Sequence, residues 1–232
     1  MTTNFDYIGE NINSINARIR EAALRSGRNP QEIKLVAVSK TVDADRINEA
    51  FKCGITEFGE NRVQELCEKY DILDVKCNWH LIGHLQTNKV RYIIDRVSMI
   101  HSLDSMDLAA EIQKRAEKAG KLVNALVQVN VSSEESKFGI NPENALQFVR
   151  EVSRMGNIRV KGLMTIAPLT QEPEDIRWVF ASLRKLHIDI KQENIDNIDM
   201  ECLSMGMSND FEVAIEEGST MVRIGTALFG KR

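Results

Sequence analysis

Apolar and polar positions alternate along this chain in two rhythms. Between Asn4 and Ser26, Ile8, Ile12, Ile15, Ile19 and Ala22 recur at spacings of three and four. That period predicts an amphipathic helix, and Gly27 and Pro30 stop it. The next run, Lys34–Ser39, is short, apolar and β-branched, as a buried parallel strand is. From there strand-like runs and helical patterns take turns. The strand candidates are Lys34–Ser39, Glu57–Gly59, Asn78–Gly83, Val97–Ser102, Ala125–Val131, Arg159–Met164, Met200–Leu203 and Met221–Ile224. Helices are predicted to start near Asp43, Arg62, Thr87, Ser105, Pro142, Pro173 and Asn209. Asp43 and Ser105 sit where caps belong, and Pro142 sits in a first turn. Gly54, Gly120, Gly156 and Gly218 follow helical patterns, where a left-handed cap is wanted.

Strands alternating with helices in this way predict an α/β fold, a closed (β/α)8 TIM barrel. A doubly wound open sheet is the alternative. The count of eight favours the barrel, and no Gly-x-Gly-x-x-Gly turn follows the first strand. Residues 1–232 read as one domain, with an extra N-terminal helix within 1–30 and the barrel over 34–226. Thr226–Arg232 is too short for a full eighth helix, so the N-terminal helix is expected to cover that gap.

Composition narrows the class without naming a function. The chain is 43% hydrophobic and 28% charged with a net charge of −4, so nothing basic points to nucleic acid or an anionic membrane. No apolar run is long enough to span a bilayer, and no signal-peptide pattern opens the chain. Cys53, Cys67, Cys77 and Cys202 form no paired framework. They read as reduced thiols of a cytoplasmic protein.

In a barrel, chemistry gathers where strands end. Ser39-Lys40-Thr41 follows the first strand, and Gly59-Glu60-Asn61-Arg62 the second. A lysine amine at such a mouth can be desolvated and nucleophilic, suited to an imine with an aldehyde. It can also be an ordinary surface lysine. After the seventh strand, Ser204-Met205-Gly206-Met207-Ser208 combines a permissive glycine with two hydroxyls. Gly225-Thr226 follows the eighth strand, which carries Arg223. Loops seven and eight are the usual phosphate site of this fold. The structural alternative is a helix cap at Ser208 or Asn209, with Glu212 completing a capping box. Closure brings these strands beside the first. An aldehyde that also bears a phosphate would use the lysine, the arginine and both turns, and pyridoxal 5′-phosphate is such a ligand.

Several motifs then accumulate in order: Ala37–Lys40, Phe58–Glu65, Trp79–Gly83 with Leu85-Gln86 and Asn88-Lys89, Ser136–Gly139, Gly162–Thr165, Leu203–Ser208 and Val222–Thr226. Together they resemble the pyridoxal phosphate homeostasis protein family, which looks like the barrel domain of alanine racemase standing alone. The resemblance implies an internal aldimine at Lys40. It implies that Ser204, Gly206, Ser208, Gly225 and Thr226 hold the phosphate, that Arg223 faces the pyridine nitrogen and that Asn61 lines the pocket. It also implies a cytoplasmic, largely monomeric protein that carries the cofactor and affects vitamin B6 and amino-acid balance. Apo forms of pyridoxal-phosphate enzymes are the partners such a carrier would serve.

Catalysis is expected to be weak. An arginine at the ring nitrogen weakens the electron sink. Racemisation needs an acid/base group on each face of the α-carbon. In racemases the resemblance implies a tyrosine from a second domain and subunit as the second group. Tyr7, Tyr70 and Tyr92 lie on predicted helices, away from the strand ends. Two rival readings stay open: an amino-acid racemase or lyase, and a phosphate-binding barrel that uses Lys40 in an aldolase-like imine. His80-x-x-x-His84 has metal-like spacing, but a strand does not turn both imidazoles one way. An internal hydrogen bond is the expected role of His80. Lys137 reads as a surface residue or a transient acceptor for the cofactor, with the surface favoured.

Overall fold

In the computed structural model, which describes residues 5–73, 75–134 and 138–230, every one of these apolar runs becomes a strand. They are β1 (Lys34–Val38), β2 (Glu57–Glu60), β3 (Asn78–Leu81), β4 (Met99–Leu103), β5 (Val123–Gln128), β6 (Ile158–Met164), β7 (Ile198–Ser204) and β8 (Met221–Ile224). All pair in parallel in sequence order, and β8 closes on β1 through Leu35↔Val222 and Ala37↔Ile224. The closed (β/α)8 barrel is therefore the fold.

Two layers bury the apolar side chains. Inside the barrel, Val36, Met99, Leu126, Met164 and Met221 pack together. Outside it, Ala37, Phe58, Leu81, Ile100 and Val127 meet the helices. That division follows from strand geometry, in which successive side chains face opposite ways. The helices are α1 (Asp6–Arg25), α2 (Ala44–Lys52), α3 (Val63–Ile72), α4 (Val90–Ile93), α5 (Met106–Ala119), α6 (Pro142–Val152), α7 (Arg177–Gln192), α8 (Phe211–Glu216) and α9 (Thr226–Phe229). Among the described residues no helix is long and apolar enough to cross a membrane.

The caps are mostly where the sequence puts them. Asp43 accepts from Arg46 N at 2.9 Å, and Ser105 accepts from Leu108 N at 3.3 Å. Gly54, Gly120 and Gly218 take positive φ, whereas Gly156 does not. The expectation at Gly156 fails because α6 stops at Val152, with right-handed Ser153 after it. The segment at Thr87 is a short 3-10 turn before α4, and Pro173–Ile176 is another before α7.

The last βα unit ends in the four-residue α9, and α1 fills the space beside it. Asn11 Nδ2 donates to Leu228 O at 2.9 Å, and Arg18 pairs with Glu212 of α8 at 3.2 Å. Ile8, Ile12, Ile15 and Ile19 are all buried on that face. Ile15→Ala is expected to cost about 2–4 kcal/mol, read from urea unfolding, because the packed helices α2, α8 and α9 around it cannot fully collapse into the gap.

Candidate functional site

The chain leaves β1 through a tightly tied turn. Ser39 is fully buried, Lys40 is half-buried, and Thr41 has φ 60°, unusual for a β-branched residue. Four contacts hold the turn. Lys69 Nζ of α3 donates to Ser39 O at 2.6 Å, and Ser39 Oγ donates to Glu60 Oε1 at 2.7 Å. Thr41 N donates to Glu65 Oε1, and Thr41 Oγ1 donates to Lys40 O at 2.7 Å. Lys69 Nζ also meets Glu60 Oε1 and Glu65 Oε1, each at 2.7 Å. Packing of α3 on β2 thus fixes where the Lys40 backbone sits.

Lys40 lines a cavity of about 590 Å³ at the C-terminal mouth of the barrel. Asn61, Ser208, Arg223, Gly225 and Thr226 share that wall. These residues come from the loops after β1, β2 and β7 and from β8 and its exit, far apart in sequence and joined by closure. Asn61 is kept in place from behind. A Cβ on Gly83 would lie 2.3 Å from Asn61 O, so only glycine lets the two loops meet there.

Arg223 is almost fully buried at the cavity's inner end. Its NH1 donates to Ser204 Oγ at 2.6 Å and its NH2 to Thr165 O at 2.9 Å. Burial pushes its guanidinium down to about 10, with Asp210 opposing. It therefore stays cationic at neutral pH. Burial also raises the Asp210 carboxyl, against a hydrogen bond from Met207 N at 2.5 Å and the charge of Arg223.

Two residues of the expected site are not on this wall. Ser204 is the last residue of β7, fully buried, and its hydroxyl is engaged by Arg223 and by His101 Nδ1 at 3.1 Å. Gly206 has φ 93° and packs against α8, where a Cβ would lie 2.7 Å from Ala214 Cβ and 2.9 Å from Phe211 Cα. Gly206→Ala is expected to cost about 2 kcal/mol or more in chemical denaturation, since it combines left-handed strain with overpacking. The capping box is not formed. Helix α8 begins at Phe211 without a side-chain cap, Glu212 pairs with Arg18, and Ser208 Oγ accepts from Ala227 N at 3.4 Å. That last bond ties the β7 loop to the β8 exit.

The wall also holds a residue that the sequence places at a strand end but gives no role. His84 stacks on Phe138, with ring centroids 3.9 Å apart and planes 12° apart. Its Nδ1 lies 3.5 Å from Asp104 Oδ2. Burial raises the Asp104 carboxyl, with His84 opposing. His80 makes the internal hydrogen bonds expected of it, to His101 and Glu57. Tyr7, Tyr70 and Tyr92 sit on α1, α3 and α4, away from the cavity. Lys137 lies outside the described residues.

The parallel barrel, with a lysine, an arginine and a hydroxyl-bearing turn on one mouth cavity, defines a class that comparison with known proteins makes specific. Residues 11–232 match the family described as "Alanine racemase, N-terminal domain". The pyridoxal phosphate homeostasis protein of Aquifex aeolicus is 48% identical over 224 residues, covering 96% of this chain and 97% of that one. Its namesake in Pseudomonas aeruginosa is 43% identical over 226 residues, covering 97% and 96%. Among solved structures, PipY of Synechococcus elongatus with PLP bound superposes with a TM-score of 0.82 at 34% identity, covering 96% of this chain and all of that one (100%). Alanine racemase of Clostridium difficile shares the fold, with a TM-score of 0.78 at 17% identity, covering 99% of this chain and 58% of that chain. The chain belongs to the pyridoxal phosphate homeostasis protein family.

Proposed function

We propose that this protein binds pyridoxal 5′-phosphate covalently through Lys40 and takes part in intracellular balance of that cofactor and of amino acids, without robust catalytic turnover. The observation that carries the reading is one cavity bearing an amine, a guanidinium and a donor-rich turn. The donor set suits the ligand at three points. Lys40 faces the aldehyde as nucleophile. Ser208, Gly225 and Thr226 offer small side chains and hydroxyl or amide donors to the phosphate. Arg223, which only donates, faces the acceptor nitrogen of the ring. Asn61 lines the ring's side of the pocket. Ser204 and Gly206 support this wall from behind, one through Arg223 and the other through the packing of α8.

Bound pyridoxal phosphate supplies an aldehyde and, in enzymes, an electron sink. This chain's own groups favour holding over turnover. Arg223 keeps its protons at neutral pH, so it does not protonate the ring nitrogen that such a sink needs. Among the described residues no tyrosine lines the cavity to act as a second acid/base group beside Lys40. Cytoplasmic, monomeric action and delivery to apo pyridoxal-phosphate enzymes belong to the same reading.

The enzyme reading, an amino-acid racemase or another pyridoxal-phosphate enzyme, draws on one observation. His84, steadied by Asp104, puts an imidazole on the cavity wall. Deuterium exchange separates the two. Loaded protein incubated with alanine in deuterated water is expected to exchange the α-proton no faster than the free cofactor does. Rapid exchange lost in both Lys40→Ala and His84→Ala would establish the enzyme instead.

A further inference from the structure

An unbroken line of hydrogen bonds crosses the barrel beneath the cavity. Arg223 NH1 donates to Ser204 Oγ at 2.6 Å, and Ser204 Oγ lies 3.1 Å from His101 Nδ1. His101 Nε2 lies 2.8 Å from His80 Nδ1, and His80 Nε2 lies 2.6 Å from Glu57 Oε2. The two imidazoles meet edge to face, with centroids 5.0 Å apart. The line starts at the cavity and ends at the first residue of β2, at the opposite mouth. Arg223, Ser204, His101 and His80 are buried, and Glu57 is half-buried.

The ends dictate the direction of every link. A guanidinium has only donors and an ionised carboxylate only acceptors. Ser204 accepts from Arg223, and of the two groups that meet its buried hydroxyl only His101 Nδ1 can accept, so its own proton goes there. His101 then carries hydrogen on Nε2 and gives it to His80 Nδ1. His80 in turn carries hydrogen on Nε2 and gives it to Glu57. Both imidazoles are thereby neutral Nε2–H tautomers. Burial pushes His101 well below its ordinary value, and the charge of Arg223 acts the same way, which agrees with a neutral ring. Burial works against ionisation of Glu57, but hydrogen bonds from His80 and from Asn78 Nδ2, at 2.8 Å, outweigh it and hold the carboxyl below the usual range.

We propose that Glu57 is a positioning residue for Arg223: from the foot of the barrel its carboxylate orients the Ser204–His101–His80 chain, so that Ser204 turns a lone pair to the guanidinium and holds it at the cavity wall. Without the charge at Glu57 the chain loses its bias. An amide there donates as well as accepts, so the links can reverse. His101 would then donate through Nδ1 to Ser204, whose own proton loses its acceptor, so the hydroxyl must turn and its lone pair to Arg223 is no longer fixed. A second consequence rests on the cofactor reading proposed above: Glu57, remote from the cavity, tunes how firmly pyridoxal phosphate is held.

Nitrogen-15 spectra of the histidine rings test the chain in the full-length protein without cofactor. At neutral pH, His80 and His101 are expected as neutral Nε2–H tautomers. Glu57→Gln is expected to populate the Nδ1–H form of His101. An imidazolium or an Nδ1–H tautomer at His101 in the unsubstituted protein overturns the proposal, and that arm needs no variant to fold. In the loaded protein, Glu57→Gln is expected to speed release of pyridoxal phosphate about threefold or more. In a Ser204→Ala background, which cuts the chain, the same substitution is expected to change nothing further. A purely structural Glu57 would lower the melting temperature while leaving tautomers and release rate alone, and that outcome also overturns the proposal. Failure of the cofactor reading would show separately, as pyridoxal phosphate release indifferent to Lys40→Ala, with the unloaded tautomer pattern intact.

Discussion

Lys69→Ala is expected to destabilise the protein by about 3 kcal/mol, the scale of breaking a buried ion pair from one side. Lys69 is buried, and its ammonium meets Glu60, Glu65 and Ser39 O. Removing it strands the fully buried carboxylate of Glu60, whose Oε2 already has no hydrogen-bond partner among the described residues. Burial raises the Glu60 carboxyl, with Lys69 the foremost group pulling it back down. The sign of the pH dependence follows. A carboxyl raised in the folded state favours folding below its unfolded value, about 4.3, and that contribution is lost as pH rises through the folded value. In Lys69→Ala the folded value rises further, so the deficit should shrink on acidification and be largest at neutral pH. Urea titrations at several pH values read this directly. Lys69→Met combined with Glu60→Leu should recover most of the stability, because no charge is then left buried alone. Ser39 O loses its ammonium partner in either variant and keeps only Val42 N at 2.9 Å, so the turn carrying Lys40 should loosen in both.

Lys40→Ala is expected to abolish the visible band, near about 420 nm, that a lysine-linked pyridoxal phosphate gives. Retention of the cofactor should fall about a hundredfold, leaving only the phosphate and ring contacts. The fold should hardly notice. Lys40 is half-buried, and among the described residues its amine makes no ion pair, so stability should stay within about 0.5 kcal/mol. A protein that kept both its band and its retention would place the covalent link elsewhere.

Much of the fold was legible because parallel strands buried on both faces leave short apolar runs, and because Ile8 to Ile19 mark one helical stripe. The site was legible in part. Lys40, Asn61, Ser208, Arg223, Gly225 and Thr226 share one cavity because each lies on a barrel position or exit loop that opens to the same mouth. The seventh strand ends one residue later than expected, at Ser204. The strand runs through it rather than ending at Leu203, so its side chain follows the strand's alternation into the barrel. Gly206 looked like a site for close ligand approach, but its free side is taken by Phe211 and Ala214. The Glu57–His80–His101 chain escaped notice for another reason. Each residue sits at an inward position of its own strand, but which strands adjoin, and at what height, is set by register and closure rather than by local sequence. His84 was visible at the end of the third strand and as half of a metal-like spacing, but with no role. Its stacking on Phe138, fifty-odd residues away, is a tertiary fact.

Covalent attachment at Lys40 can be read from the chain itself. The protein is loaded with pyridoxal phosphate, reduced with borohydride to make the link permanent, digested and mapped by mass spectrometry. One labelled peptide is expected, the one containing Lys40, with label absent from Lys40→Ala. A label on another lysine such as Lys137, or no label at all, would contradict it.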